Sequence, residues 1–168
     1  VVWIAAVAFF QITLLVGYAY AHLTARLGPR PRAVVHGVVL LGALISLPLA
    51  LPAWEAPSSE PYLWLVGLLA VSVGIPFFVL ASASPSLAFW YTSSGKRDPY
   101  FLYAVSNAGS FVGLLSYPLL IEPILGLEAQ STLWAWAFGG FALFAAAAVA
   151  IALRGGGQTA GLPVIQRT

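Results

Sequence analysis

Long uninterrupted apolar stretches alternate with short polar breaks along the chain. The stretches cover about residues 1–25, 33–53, 62–89, 101–121 and 133–153. A bilayer hydrocarbon core about 30 Å thick takes roughly 20 apolar residues per helix. The pattern therefore predicts five membrane-crossing helices. The breaks gather Pro, Gly, Ser and charge, in Gly28-Pro29-Arg30-Pro31-Arg32, Glu55 through Pro61, Ser93 through Pro99, and Glu122 through Gln130. The stretches do not alternate apolar and polar residues, as the wall of a membrane β-barrel would. A continuous helix satisfies its own backbone where there is no water. The expected fold is an all-α polytopic transmembrane bundle over residues 1–153, itself part of a larger bundle. Residues 154–168, with Gly155-Gly156-Gly157, read as a cytoplasmic tail or flexible linker.

Composition narrows the class further. Of 168 residues, 61% are hydrophobic and 7% charged, and the mean hydropathy is +0.94. A soluble domain carries about 25% charged residues. Too few charges are present to coat a water-soluble enzyme or to keep a chain disordered. A net charge of +2 offers no basic stripe for nucleic acid. Cysteine is absent, which removes disulfides, thiolate metal sites and thiol nucleophiles. The chain opens inside an apolar run without a basic flank or a small-residue cleavage site, so it reads as a piece of a longer protein and not as a signal peptide.

The charges fall unevenly. Arg26, Arg30 and Arg32 follow the first stretch, Lys96 and Arg97 the third, and Arg154 and Arg167 the fifth. The breaks after the second and fourth stretches hold no basic residue, but carry Glu55, Glu60, Glu122 and Glu128. Basic residues stay on the cytoplasmic side of a membrane. The expected topology therefore puts the loops at 26–32 and 92–99 and the C-terminal tail in the cytoplasm. Trp3, Tyr18, Tyr20, Trp54, Tyr62, Trp64, Trp90, Tyr91, Tyr100, Tyr103, Trp134 and Trp136 lie near the expected interfaces and read as headgroup anchors.

The fourth stretch carries the densest pattern. Ser106, Gly109, Ser110, Gly113 and Ser116 share one helical face, and Gly109 with Gly113 makes a GxxxG. Such a face lets helices approach closely in lipid. It suits packing within the chain, or contact with a neighbouring helix or subunit, or a ligand path. Asn107 in this stretch and Gln11 in the first each need hydrogen-bond partners inside a bilayer. They are expected to face each other or a shared cavity. Glu122 would serve an ion or proton path only if buried. His22 and His36 flank the first loop, where no acid completes a metal site, and read as interfacial. Pro48, Pro76, Pro85 and Pro118 fall inside apolar runs and can kink them. No P-loop, HExxH or GxSxG is present, and Ser84 and Ser86 have no base nearby in sequence. No catalytic, cofactor-binding or metal-binding residue is assigned.

Several stretches resemble one family. They are Phe9-Phe10-Gln11, Gly17 through His22, Ser72-Val73-Gly74-Ile75-Pro76-Phe77-Phe78 and Ala83-Ser84-Pro85, with the strongest run from Asp98-Pro99-Tyr100 through Ser110, Ser116-Tyr117-Pro118 and Ile121-Glu122-Pro123. Together they look like the membrane region of bacterial fused spermidine-synthase-like proteins. The resemblance implies a further helix before Val1 and a cytoplasmic aminopropyltransferase-like domain after the tail. That domain would bind an adenosylmethionine-type nucleotide and a polyamine; its binding residues are not in this chain. A weaker likeness, at Ala21 through Arg30, is to the loop between the second and third helices of major facilitator transporters. Arg26, Gly28 and Arg30 match it, but Ala21 and Ala25 stand where that loop has glycine and aspartate. The expected role is a membrane domain of the bacterial inner membrane that anchors or regulates such an enzyme domain. The alternatives are a small-molecule transporter fragment or an accessory subunit of a larger membrane complex.

Overall fold

The computed structural model describes residues 2–47, 49, 52, 54–55, 57, 61–95 and 98–155. Pro48, Glu60, Lys96, Arg97 and the expected linker at 156–168 lie outside the described residues. The described residues form five helices and no strand: α1 Val2–Thr24, α2 Pro29–Ile45, α3 Pro61–Ser93, α4 Tyr100–Ile124 and α5 Leu127–Gly155.

Proline and glycine set the boundaries. Pro29 occupies the first helical position of α2, where its missing N–H is not needed. At the end of α3, Gly95 adopts φ 81° and its N–H donates to the Thr92 carbonyl, closing the helix in a conformation only glycine takes cheaply. Asp98 Oδ1 then accepts the Tyr100 N–H at 3.0 Å and starts α4. Two π-turns interrupt the long helices, at Ala70–Gly74 in α3 and Tyr117–Ile121 in α4. A proline ring clashes with the carbonyl four residues earlier. For Pro76 that residue is Ser72, and for Pro123 it is Leu119. Both lie inside the π-turns, which absorb the misfit.

The second helix departs from expectation. It begins at Pro29 and ends at Ile45, not 33 to 53. Ser46 turns the chain, its hydroxyl donating to the Ala43 carbonyl at 2.7 Å, and Pro48 disfavours helix in the residue before it. Four helices, and not α2, are long and apolar enough alone to cross a membrane. The chain through α2 still traverses the bundle. Arg30 Nε donates to the Leu153 carbonyl at 3.1 Å, and Ser131 Oγ to the Leu49 carbonyl at 3.4 Å. These two bonds align α2 and its continuation antiparallel to some 22 residues of α5, or about 33 Å of helix.

A core of Leu40 and Ala43 from α2, Val79 from α3, and Phe138, Ala142 and Ala145 from α5 fills the centre. Ala33, Trp90 and Val149 continue it toward one end. On the other flank of α3, α1 approaches so closely at Gly17 that an added Cβ would stand 2.8 Å from Ala81 Cβ. The outer surface of the long spans is mostly apolar. Between none and 22% of residues are buried in the central window of each long span, while Ile4, Leu63, Leu114, Leu143 and Phe144 are exposed. So much apolar surface is stable only against lipid. Helix α4 is the extreme case: none of its residues is buried. It leans on the end of α3 through the edge contact of Phe101 with Tyr91, ring centroids 5.3 Å apart.

Candidate functional site

Two stripes meet at one end of the bundle. On α2, Arg32, His36, Leu40 and Ala43 recur at helical spacing and are all buried; on α3, Val79, Ser82, Ser86 and Trp90 do the same. Packing these faces together encloses a polar cluster. Arg32 is 1% exposed and His36 2%. Arg32 Nη2 donates to Ser86 Oγ at 3.3 Å, and its guanidinium carbon stands 4.1 Å above the Phe89 ring. The Tyr20 hydroxyl of α1 lies 3.3 Å from His36 Nδ1, and the Trp90 ring meets His36 edge-on at 5.4 Å. Thr24, also buried, donates its hydroxyl to the Tyr20 carbonyl at 2.7 Å.

The cluster's charge is not balanced. Arg32 Nε and Trp90 Nε1 are buried without a hydrogen-bond partner. No acid pairs with Arg32 among the described residues: Asp98, which follows α3, is exposed and accepts the Tyr100 N–H. Burying an ion costs several kcal/mol after relaxation. One hydroxyl bond and a cation–π contact of about 0.5–2 kcal/mol offset only part of that. Chemically the cluster is a buried cation with two unpartnered N–H donors.

A second feature is a cleft of about 540 Å³ between α1, α3 and α4. Leu14, Tyr18, Ser84, Pro85, Ser106 and Asn107 are among its lining. Asn107 lines this cleft, whereas Gln11 is exposed and does not. The two amides do not share a site. Glu122 is exposed. A Cβ added at Gly109 or Gly113 would meet nothing within 4 Å, so these two glycines pack against nothing within the chain, while Ser106 and Ser110 of the same face line the cleft. Tight packing occurs instead at Gly17.

Sequence reasoning placed Arg32 in a solvated loop and His36 among headgroups; both are buried by the α2–α3 contact. Tyr20, Trp90 and Trp134, expected as interfacial anchors, are engaged inside the bundle, Trp134 stacked on Phe138 at 5.3 Å. The signal was available. Arg32 and His36 are four residues apart and in phase with Leu40 and Ala43, which marks an inward face.

The fold and its lipid-suited surface define a polytopic helical membrane protein. No protein-family model, curated protein or solved structure matches the chain.

Proposed function

We propose that the chain is the membrane-embedded domain of a spermidine-synthase-like protein of the bacterial inner membrane, oriented with its basic end in the cytoplasm. There it anchors, and can regulate, an aminopropyltransferase-like domain that follows in the chain. The supporting observation is the gathering of charge at one end. Arg30 bonds the last turn of α5, Arg32 lies in the cluster beside it, and Arg154 ends that helix. By the positive-inside rule this end faces the cytoplasm. Helix α5 leaves the bundle at this same end, so a domain carried beyond Thr168 would meet the cytoplasm. The test is the coding sequence past Thr168, followed by binding of a decarboxylated adenosylmethionine-type nucleotide to membranes holding the full protein. A nucleotide-binding aminopropyltransferase-like domain supports the reading. A stop codon or an unrelated domain refutes it.

The accessory-subunit reading is favoured by a separate observation, the unpacked α4. A helix that buries no residue, with Gly109 and Gly113 open, suits a neighbouring membrane helix. Disulfide crosslinking of a Gly109→Cys variant in native membranes, with Leu143→Cys as a lipid-facing control, tests it. Crosslinking at 109 but not at 143 supports a partner there.

A further inference from the structure

We propose that Arg32 is an oxyanion site, taking the phosphate of a lipid headgroup or free phosphate at the basic end of the bundle. This goes beyond the anchoring role and stands without it.

The unsatisfied groups of the cluster are both donors. Arg32 Nε–H and Trp90 Nε1–H lie buried with no acceptor, on neighbouring faces of α2 and α3. Ser86 Oγ accepts from Arg32 Nη2, and the Tyr20 hydroxyl and His36 Nδ1 are engaged with each other. Buried donors in a folded protein are normally paired, and a guanidinium fork pairs best with phosphate or carboxylate. The chain supplies no such group here among the described residues. Acidic residues are missing from the first turn of α2, and Asp98 is exposed and occupied with the Tyr100 amide.

The placement favours phosphate. Arg32 lies in the first turn of α2, next to exposed Pro31 and one turn from the exposed loop at 25–28. With Arg26, Arg30 and Arg154 at the same end, the local field attracts anions. This is the depth at which lipid phosphates lie against a bundle of this length. A phosphate offers several acceptor oxygens, more than a single neutral acceptor supplies to a guanidinium.

The experiment uses the full chain purified in mild detergent and supplied with equal phosphatidylglycerol and phosphatidylcholine, with bound lipid read by native mass spectrometry. A second arm places the chain in phosphatidylcholine nanodiscs and compares Tm in inorganic phosphate with chloride at equal ionic strength. Retained phosphatidylglycerol identifies the lipid source, and a phosphate-dependent Tm identifies the soluble one. Arg32→Gln should lower the response roughly tenfold or more, and Trp90→Phe, which keeps a ring but removes the donor, roughly threefold. Arg26→Gln, an equal loss of charge at an exposed position, should change it less than about twofold. Where Arg32→Gln does not fold, Trp90→Phe carries the test. The proposal is overturned if neither arm responds in the wild type, if the variants respond like it, or if Arg26→Gln loses as much as they do.

Discussion

Replacing Gly17 by alanine sets two effects of opposite sign against each other. Helix propensity alone favours alanine by about 1 kcal/mol. Packing opposes it. The new Cβ would lie 2.8 Å from Ala81 Cβ and 3.2 Å from both the Ala81 carbonyl carbon and the Ser82 nitrogen. Carbon atoms attract best at about 3.5–4.0 Å, so α1 must retreat from α3 by several tenths of an ångström. The neighbours have little room to yield, since Ala81 is 8% exposed and Ser82 fully buried. Overpacking of this kind costs about 1–3 kcal/mol. The expected net effect of Gly17→Ala is a loss of up to about 2 kcal/mol against the wild type, and of about 1–3 kcal/mol against a glycine-to-alanine change that meets no neighbour. Gly109→Ala is the matched control, because nothing lies within 4 Å of its added Cβ. It keeps the propensity gain without the clash. Unfolding of both variants in mixed micelles, titrated with a denaturing detergent and followed by far-UV circular dichroism, measures the difference. The double variant Gly17→Ala/Ala81→Gly should recover part of the loss. A Gly17→Ala chain as stable as Gly109→Ala would refute the close approach of α1 and α3.

Three further outcomes follow from single contacts. Leu40→Ala, in the α2–α3–α5 core at 3% exposure, should destabilise by about 2 kcal/mol or more, while Leu114→Ala at 72% exposure stays within about 0.5 kcal/mol in the same titration. Tyr20→Phe leaves buried His36 without its 3.3 Å partner and should lower stability by about 1 kcal/mol, with a shift in the His36 ring signals by NMR. Asp98→Ala removes the acceptor of the Tyr100 amide and should speed hydrogen exchange in the first turn of α4, at a cost of about 1 kcal/mol.

Much of this architecture was legible because lipid imposes a simple rule on the chain. Apolar runs of spanning length became α1, α3, α4 and α5, and the breaks fell at proline, glycine and charge. What failed was finer. The second run was too long by its tail, because Ser46 and Pro48 end the helix although the residues after them stay apolar. Hydropathy sees the apolar side chains and not the backbone. Arg32 was misplaced for a related reason: charge next to Pro31 reads as loop, yet Pro29 and Pro31 start a helix whose first turn already faces the bundle. The small residues of α4 were read as one contact surface, with packing inside the chain as its plainer use. The structure instead packs Gly17 of α1, which pairs with buried Ala21 one turn on as a small-xxx-small face. Which small-residue face finds a partner depends on neighbours that no single helix encodes.

Opposite exposure of the two ends tests the transmembrane arrangement most directly. The native chain has no cysteine, so single-cysteine variants label without background. Arg26→Cys, Asp98→Cys, Glu55→Cys and Glu122→Cys, each in sealed inner-membrane vesicles, can be treated with a membrane-impermeant maleimide from either side. Arg26→Cys and Asp98→Cys should react only from the cytoplasmic face, and Glu55→Cys and Glu122→Cys only from the opposite one. Reaction of Arg26→Cys and Glu55→Cys from the same side would contradict a helix α2 that carries the chain across the bilayer.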